Sequence, residues 1–323
     1  MADLATEKIK IAVICGPTAT GKTALSTALA KALDGEIISA DSMQIYKGLD
    51  VGTAKATPKE QQGVPHHLLD FLDPEESFSV ADYVKKAGEC IESVHRRGKL
   101  PMVVGGTGLY ISSLVNGICF TEEKTTPGLR EKLAEEARRE GPQAMWEKLF
   151  AIDPSYAAAL HPNNEKRVLR AVELYIQTGK TMSEQQRESL PQQRPYEAKL
   201  IGLGFHSREA LYQRIDGRAE RMLGQGLLQE AEYVYQNKTR FLTAAQAIGY
   251  KEFFPYFEGK ATLAACTEDL KRSSRRYAKR QMTWFGKMQE IYWLWLDEEQ
   301  NAYEKAKEYL ENGSALTRSA GLG

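Results

Sequence analysis

The chain has 323 residues, enough for two domains or for one large domain with an insertion, and 42% of them are hydrophobic, enough to fill a core. Its 43 basic and 43 acidic side chains cancel, so the field of the whole protein favours neither nucleic acid nor a membrane, and any such footprint must be local. Four cysteines (Cys15, Cys90, Cys119, Cys266) without C-x-x-C spacing fit reduced thiols, no run approaches about 18 apolar residues, and "MADLATEKIK" lacks a signal-peptide apolar core; together these predict a cytoplasmic protein.

Residues 11–30 read "IAVICGPTATGKTALSTALA": a buried-strand run, a glycine turn and a helical pattern carried by Ala24, Leu25, Ala28 and Leu29. Gly16, Gly21, Lys22 and Thr23 fit G-x-x-x-x-G-K-[ST], a phosphate-binding loop. Backbone N–H groups and a helix N-terminus converge there on an anion, the lysine adds a point charge, and the hydroxyl reaches a magnesium ion. "EIISAD" and "LPMVVGG" repeat the strand-then-turn rhythm of a parallel sheet, and "AKLIGLGF" at 198–205 resumes it. Between them, from Pro127 to about Leu190, "LREKLAEEARREG", "PQAMWEKLFAI" and "EKRVLRAVELYIQTGK" read as helices closed by Gly or Pro. Beyond the return linker "LPQQRPYEAK" the pattern is again helical. The prediction is an α/β fold: a P-loop NTPase-like core with a parallel sheet flanked by helices (residues 1–122 and 197–312), a small all-helical insertion domain (123–196) and a disordered tail (313–323).

A phosphate loop defaults to phosphoryl transfer, but "LPMVV" runs into Gly105, Gly106, Thr107 and Gly108 instead of a magnesium-holding Asp. "EIISA" does end on a carboxylate, Asp41, which could hold magnesium, orient a substrate, accept a proton or simply cap the next turn. The stretch "KRSSRRYAKRQMTWFGKMQ" at 271–289 has seven Lys or Arg and no acid. Helical spacing puts Arg272, Arg276 and Lys279 or Arg280 on one face, a candidate polyanion contact, and points Tyr277, Trp284, Phe285 and Met288 toward a core. Lys166, Arg167 and Arg170 form a second basic cluster in the insertion.

"GPTATGKT", "DSMQIYKGLDVGTAKAT", "GVPHHLLD", "PMVVGGTGLY", "HPNNEKRVLRAVE", "RIDGRAERML", "QAIGYKE" and "YAKRQMTWF" together resemble the bacterial tRNA dimethylallyltransferases, also called tRNA isopentenyltransferases, from about Ile11 to Phe285. With no paired Cys and His in the sequence, the C-terminal zinc finger of the eukaryotic relatives is not expected here. The resemblance implies that the loop (Gly16, Thr18, Ala19, Thr20, Gly21, Lys22, Thr23), with the matching Arg218, holds the diphosphate of dimethylallyl diphosphate. Mg²⁺ would sit on Thr23, Asp41 would be the general base, and Thr107 would donate nearby. The dimethylallyl group would pass to N6 of the adenosine 3′ of the anticodon in tRNAs reading codons that begin with U. A base flipped from the anticodon stem-loop would meet the diphosphate in a channel through the core. Positions matching tRNA contacts are Asp41, Ser42, Met43, Gln44, Thr107, Arg130, Lys166, Arg167, Arg170, Gln246, Ala247, Ile248, Gly249, Tyr250, Lys251, Arg272, Arg276, Lys279, Arg280, Gln281 and Trp284. His66 and His67 lie in a matched motif, but read as packed or hydrogen-bonded histidines, and Trp146 as core. A monomer suffices, with no membrane partner. The alternative is a P-loop small-molecule kinase; a tRNA-binding protein without catalysis makes poor use of an intact phosphate loop.

Overall fold

The structure, a computed structural model, describes residues 8–120, 126–191 and 193–312; the expected tail at 313–323 lies outside them. In chain order the strands are β1 (Ile9–Cys15), β2 (Gly35–Ser39), β3 (His66–His67), β4 (Leu100–Val104), β5 (Tyr196–Gly204) and β6 (Ile291–Trp295). The helices are α1 (Lys22–Ala32), α2 (Pro58–Gln61), α3 (Val80–Arg96), α4 (Gly108–Asn116), α5 (Leu129–Ile152), α6 (Pro154–Ala158), α7 (Glu165–Thr178), α8 (Met182–Glu188), α9 (Arg208–Gly224), α10 (Leu227–Gln236), α11 (Phe254–Phe257), α12 (Leu263–Phe285) and α13 (Ala302–Asn312).

The six strands form one parallel sheet in the order β3-β2-β4-β1-β5-β6. Its middle strands are mostly apolar because both faces are covered, with Glu36 of β2 buried among them, and successive side chains still alternate between the faces. Ile11, Val13 and Cys15 pack on one side with Tyr83, Ala87 and Ile91 of α3, Ile111 of α4 and Phe285 at the end of α12. Ala12 and Ile14 pack on the other with Leu29 of α1, Leu294 of β6 and Ala306 of α13. The strand expectations at β1, β2, β4 and β5 match. β3 and β6 are additions, edge strands in a stretch read as loop and in one read as helical.

A third apolar cluster gathers α9, α10 and α12 around Tyr46, Leu49, Phe241, Tyr250 and Phe253. The chain divides into two compact units, one within Met1–Val115 and Pro195–Gly323, the other within Asn116–Arg194. The second unit is helical. Leu133, Met145 and Leu149 of α5 close on Val168 and Val172 of α7, and the Trp146 indole N–H donates to the carbonyls of Ala157 and Leu160 at 3.0 Å each. α5 kinks at Gly141, which takes φ 85° before Pro142, where the glycine and proline predict a break between two helices.

Candidate active site

The loop after β1 is shaped by close backbone contact. Gly16 has φ 131°, and a β-carbon there would collide with the Leu203 carbonyl of β5, so this position needs glycine. Ala19 is also left-handed, at φ 66°, and Gly21, at φ 85°, opens α1 without a side-chain cap, leaving the helix N-terminus to an anion. Thr20 is buried with its hydroxyl donated to the Pro17 carbonyl at 2.9 Å, so its part is to shape the loop. The Lys22 ammonium donates to the carbonyls of Gly16 (3.0 Å) and Pro17 (2.6 Å). Part of its surface reaches the cavity, yet it lies deep in the protein mass. That desolvation, with the Arg218 charge and against the attraction of Asp41, lowers its pKa to about 8. Burial likewise lowers the pKa of Arg218.

Asp41 follows β2 and fills one of the roles left open for it, the turn cap, with an oxygen to spare. Its Oδ1 accepts the N–H groups of Met43 (2.9 Å) and Gln44 (3.3 Å), a turn cap, while Oδ2 has no hydrogen-bond partner among the described residues. The cap therefore aims the carboxylate rather than consuming it. Gln44 in turn donates its amide N–H groups to the carbonyls of Thr53 and Ala54, each at 3.2 Å. Thr107 lies behind the cavity wall, where its hydroxyl accepts the Ser42 N–H at 3.1 Å and meets the Tyr277 phenol. Its geometry is that of a support for the Asp41 turn.

Gln281 joins the two glycine-rich loops. Its Oε1 accepts the Thr18 N–H at 3.0 Å, its Nε2 donates to the Gly106 carbonyl at 2.9 Å, and only 5% of its surface is exposed. Tyr277, one turn earlier on α12, reaches Gln281 and Thr107, and burial raises its phenol pKa. The sequence reading turned Tyr277 toward the core; it lines the cavity instead, because α12 presents Leu270, Ser274, Tyr277 and Gln281 to it as one helical stripe.

These parts enclose a cavity of about 830 Å³ beside the C-terminal ends of the parallel strands, where α/β sheets place ligands. Lys22, Arg214, Arg218, Arg221, Lys251 and Arg280 reach it, against two carboxylates, Asp41 and Glu60, so its walls favour a polyanion. Thr18, Ala19, Gly21, Thr23, Ser42, Met43, Gln44, Gln246, Ala247 and Ile248 also line it.

A family model described as IPP transferase matches residues 44–288, and a second, described as isopentenyl transferase, matches residues 9–75. The chain belongs to the IPP transferase family. The tRNA dimethylallyltransferase of Bacillus subtilis is 51% identical over 291 residues, covering 89% of this chain and 91% of the relative. The solved tRNA isopentenylpyrophosphate transferase of Bacillus halodurans is similar at a TM-score of 0.70 and 43% identity, over 94% of this chain and 96% of that one. A eukaryotic dimethylallyltransferase acting on tRNA matches at a TM-score of 0.80 and 32% identity, over 97% of this chain and 82% of that one.

In this IPP transferase the cavity gathers most, not all, of the residues predicted from sequence. Arg214 and Arg221 were missed, although Arg214, Arg218 and Arg221 stand at helical spacing on α9; Arg214 also donates to the Ala19 carbonyl at 2.9 Å. Gly249 and Tyr250 do not reach the cavity. Tyr250 is fully buried, its ring filling the space a β-carbon on Gly52 would need, and its hydroxyl donates to Glu230 at 2.7 Å. His66 and His67 are hydrogen-bonded side chains, to the Val64 carbonyl and to Glu36.

The basic helix is less free than its sequence window implies. Lys271 pairs with Glu220 and Glu268, Arg272 with Asp269 and Arg275 with Asp216, acids one turn earlier or on α9. Arg272 is therefore a neutralised face. Arg276 and Lys279 are exposed without an ion-pair partner among the described residues, and Arg280 lies over the Tyr277 ring at 5.5 Å. Trp284 is 36% exposed and packs on Gly108. In the helical unit Arg130 and Arg170 both bind the buried Glu173 carboxylate, at 3.0 and 2.9 Å, which accounts for them structurally; Lys166 and Arg167 stand exposed on α7.

Proposed function

We infer that this protein is a tRNA dimethylallyltransferase, moving the dimethylallyl group from dimethylallyl diphosphate to N6 of the adenosine 3′ of the anticodon in tRNAs reading codons that begin with U. The observation carrying this reading is that the phosphate loop and Asp41 line one cavity of about 830 Å³, the size of a small-molecule site. The bond from the allylic carbon to the diphosphate oxygen breaks, the bond from that carbon to N6 forms, and an N6 proton passes to Asp41. Adenine N6 is a weak nucleophile because its lone pair is delocalised into the ring, so proton removal during attack lowers the barrier. Lys22, Arg218 and the N–H groups of the loop offset the charge that develops on the leaving diphosphate, and Arg214 and Arg221 extend that cationic wall. Gln281 and Tyr277 hold the two loops in register, and Thr107 holds the Asp41 turn.

Thr23 fits a magnesium ion. Thr23 lines the cavity from the first turn of α1, and its hydroxyl has no hydrogen-bond partner among the described residues. Thr23 is the residue that would hold the ion, and the described residues contain no cluster of three or more His, Cys, Asp or Glu suited to a metal. The ion would supply charge neutralisation to the diphosphate.

For tRNA, the reading rests on Ser42, Met43, Gln44 and Gln246 to Ile248 at the base, on Arg276, Lys279, Arg280 and Trp284, and on Lys166 and Arg167 of the insertion (123–196). No helix among the described residues is long and apolar enough to cross a membrane. Incubating the protein and unmodified tRNA with radiolabelled dimethylallyl diphosphate should label the RNA without ATP; ATP consumption with unlabelled RNA would return the kinase reading. Changing Arg276 and Lys279 to Gln should weaken tRNA binding and flatten the slope of log affinity against log salt by about one unit. Dimethylallyl diphosphate affinity should hold. An unchanged slope would leave these two as a solvated helix face.

A further inference from the structure

Glu230, half-buried on α10, accepts four hydrogen bonds from two other segments of the chain. Three come from consecutive backbone N–H groups, of Asp50 (2.8 Å), Val51 (2.9 Å) and Gly52 (2.7 Å), and the fourth from the Tyr250 hydroxyl (2.7 Å). One carboxylate thus fixes the loop after Leu49 and ties it to the segment Gln246 to Lys251. The tie is reinforced by contact, since Gly52 admits the Tyr250 ring and Gly249 packs against Gly52. The next residues of the clamped loop, Thr53 and Ala54, supply the two carbonyls that take the Gln44 amide N–H groups. Two carbonyl partners accept only N–H, so this contact sets the amide orientation of Gln44. The Gln44 Oε1 is left with no partner among the described residues, on a residue that lines the cavity and whose backbone N–H donates to Asp41.

We propose that Glu230 is a positioning residue for recognition of the acceptor base: by holding residues 50–54 it orients Gln44 so that its carbonyl oxygen accepts one N–H of the adenine exocyclic amine, leaving the other proton to Asp41. This rests on the reading of Gln44 as a base contact and names what sets its polarity. An amide so held favours a base that donates at this position and disfavours one that offers no donor or an acceptor. A carboxylate suits the clamp because all four partners are donors and two oxygens accept them together. Glutamine at 230 would turn its amide nitrogen toward two of those donors, of which only the Tyr250 hydroxyl could reverse and accept.

The test compares the affinities of two anticodon stem-loop RNAs, one with adenosine and one with purine riboside, which lacks the amine, at the position 3′ of the anticodon. Wild type, Glu230→Ala, Glu230→Gln and Gln44→Ala are measured by fluorescence anisotropy, with dimethylallyl diphosphate affinity and thermal unfolding alongside. Both Glu230 variants should reduce the preference for adenosine by about 3- to 10-fold, the worth of one hydrogen bond, with Gln the milder, while dimethylallyl diphosphate affinity stays within twofold. Should the alanine variant not fold, the glutamine variant decides. If Gln44→Ala lowers the preference and the folded Glu230 variants do not, Glu230 only stabilises the fold and the proposal is overturned. If Gln44→Ala leaves the preference intact, the reading of Gln44 itself fails, and the proposal with it.

Discussion

Replacing Asp41 by alanine is expected to lower the single-turnover rate of dimethylallyl transfer by about 10²- to 10⁴-fold, the usual worth of a general base, while tRNA affinity changes only a few-fold. The structure makes a sharper comparison possible, because the two carboxylate oxygens have different work. Oδ1 caps the turn through the N–H groups of Met43 and Gln44, and Oδ2, with no hydrogen-bond partner among the described residues, is the oxygen to which the proposed reaction assigns the substrate proton. Asp41→Asn keeps an oxygen that can accept both turn N–H groups but has no basic oxygen. It should therefore retain the fold and tRNA binding and still lose nearly as much rate as alanine. An asparagine enzyme within a few-fold of wild type in single turnover would reduce Asp41 to a turn cap, and a large loss of tRNA affinity in both variants would make it a binding residue.

The sequence was most readable where function is local in the chain. Gly16 to Thr23 act through consecutive backbone groups, so their spacing alone announces a phosphate. The buried parallel strands β1, β2 and β4 each hold a short apolar run that spans both faces, which separates them from surface helices. β6 was passed over as "IYWLW", five residues with a single sheet neighbour, after a helix of 23 residues. The misread residues share another origin: their environment is created by packing between distant elements. Tyr277 turned out to face the cavity because α12 lays one stripe along it. The run from Lys271 to Gln289 contains no acid, yet Asp216 and Glu220 on α9 neutralise part of it in space. Helical spacing of Arg214, Arg218 and Arg221 was a signal available in advance, but it acquires meaning only once α9 is known to pass the phosphate loop.

The affinity for dimethylallyl diphosphate is expected to fall as pH rises above about 8, and this dependence should vanish in Lys22→Ala. In the free protein, burial and the Arg218 charge lower the Lys22 pKa to about 8, so at neutral pH the ammonium is mostly charged. A bound diphosphate stabilises the charged form and raises that pKa, because an anion is brought to a poorly solvated cation. A group whose pKa rises on binding takes up a proton on binding wherever the free form is neutral. Affinity is therefore at its full value below the free-state pKa and declines by up to about tenfold per pH unit above it, until the bound-state pKa is reached. The ligand does not imitate this trend, since a terminal phosphate with its second pKa near about 6 is already ionised there. Near neutral pH, Lys22→Ala should cost about 10- to 10²-fold in affinity, the worth of a charge-assisted hydrogen bond. Calorimetric titration across pH 6.5–9.5 in two buffers of different ionisation enthalpy measures both the affinity and the proton uptake. Flat affinity in the wild type would mean that Lys22 keeps its charge throughout, held by Asp41. An unchanged slope in the alanine variant would assign the titration to another cavity group.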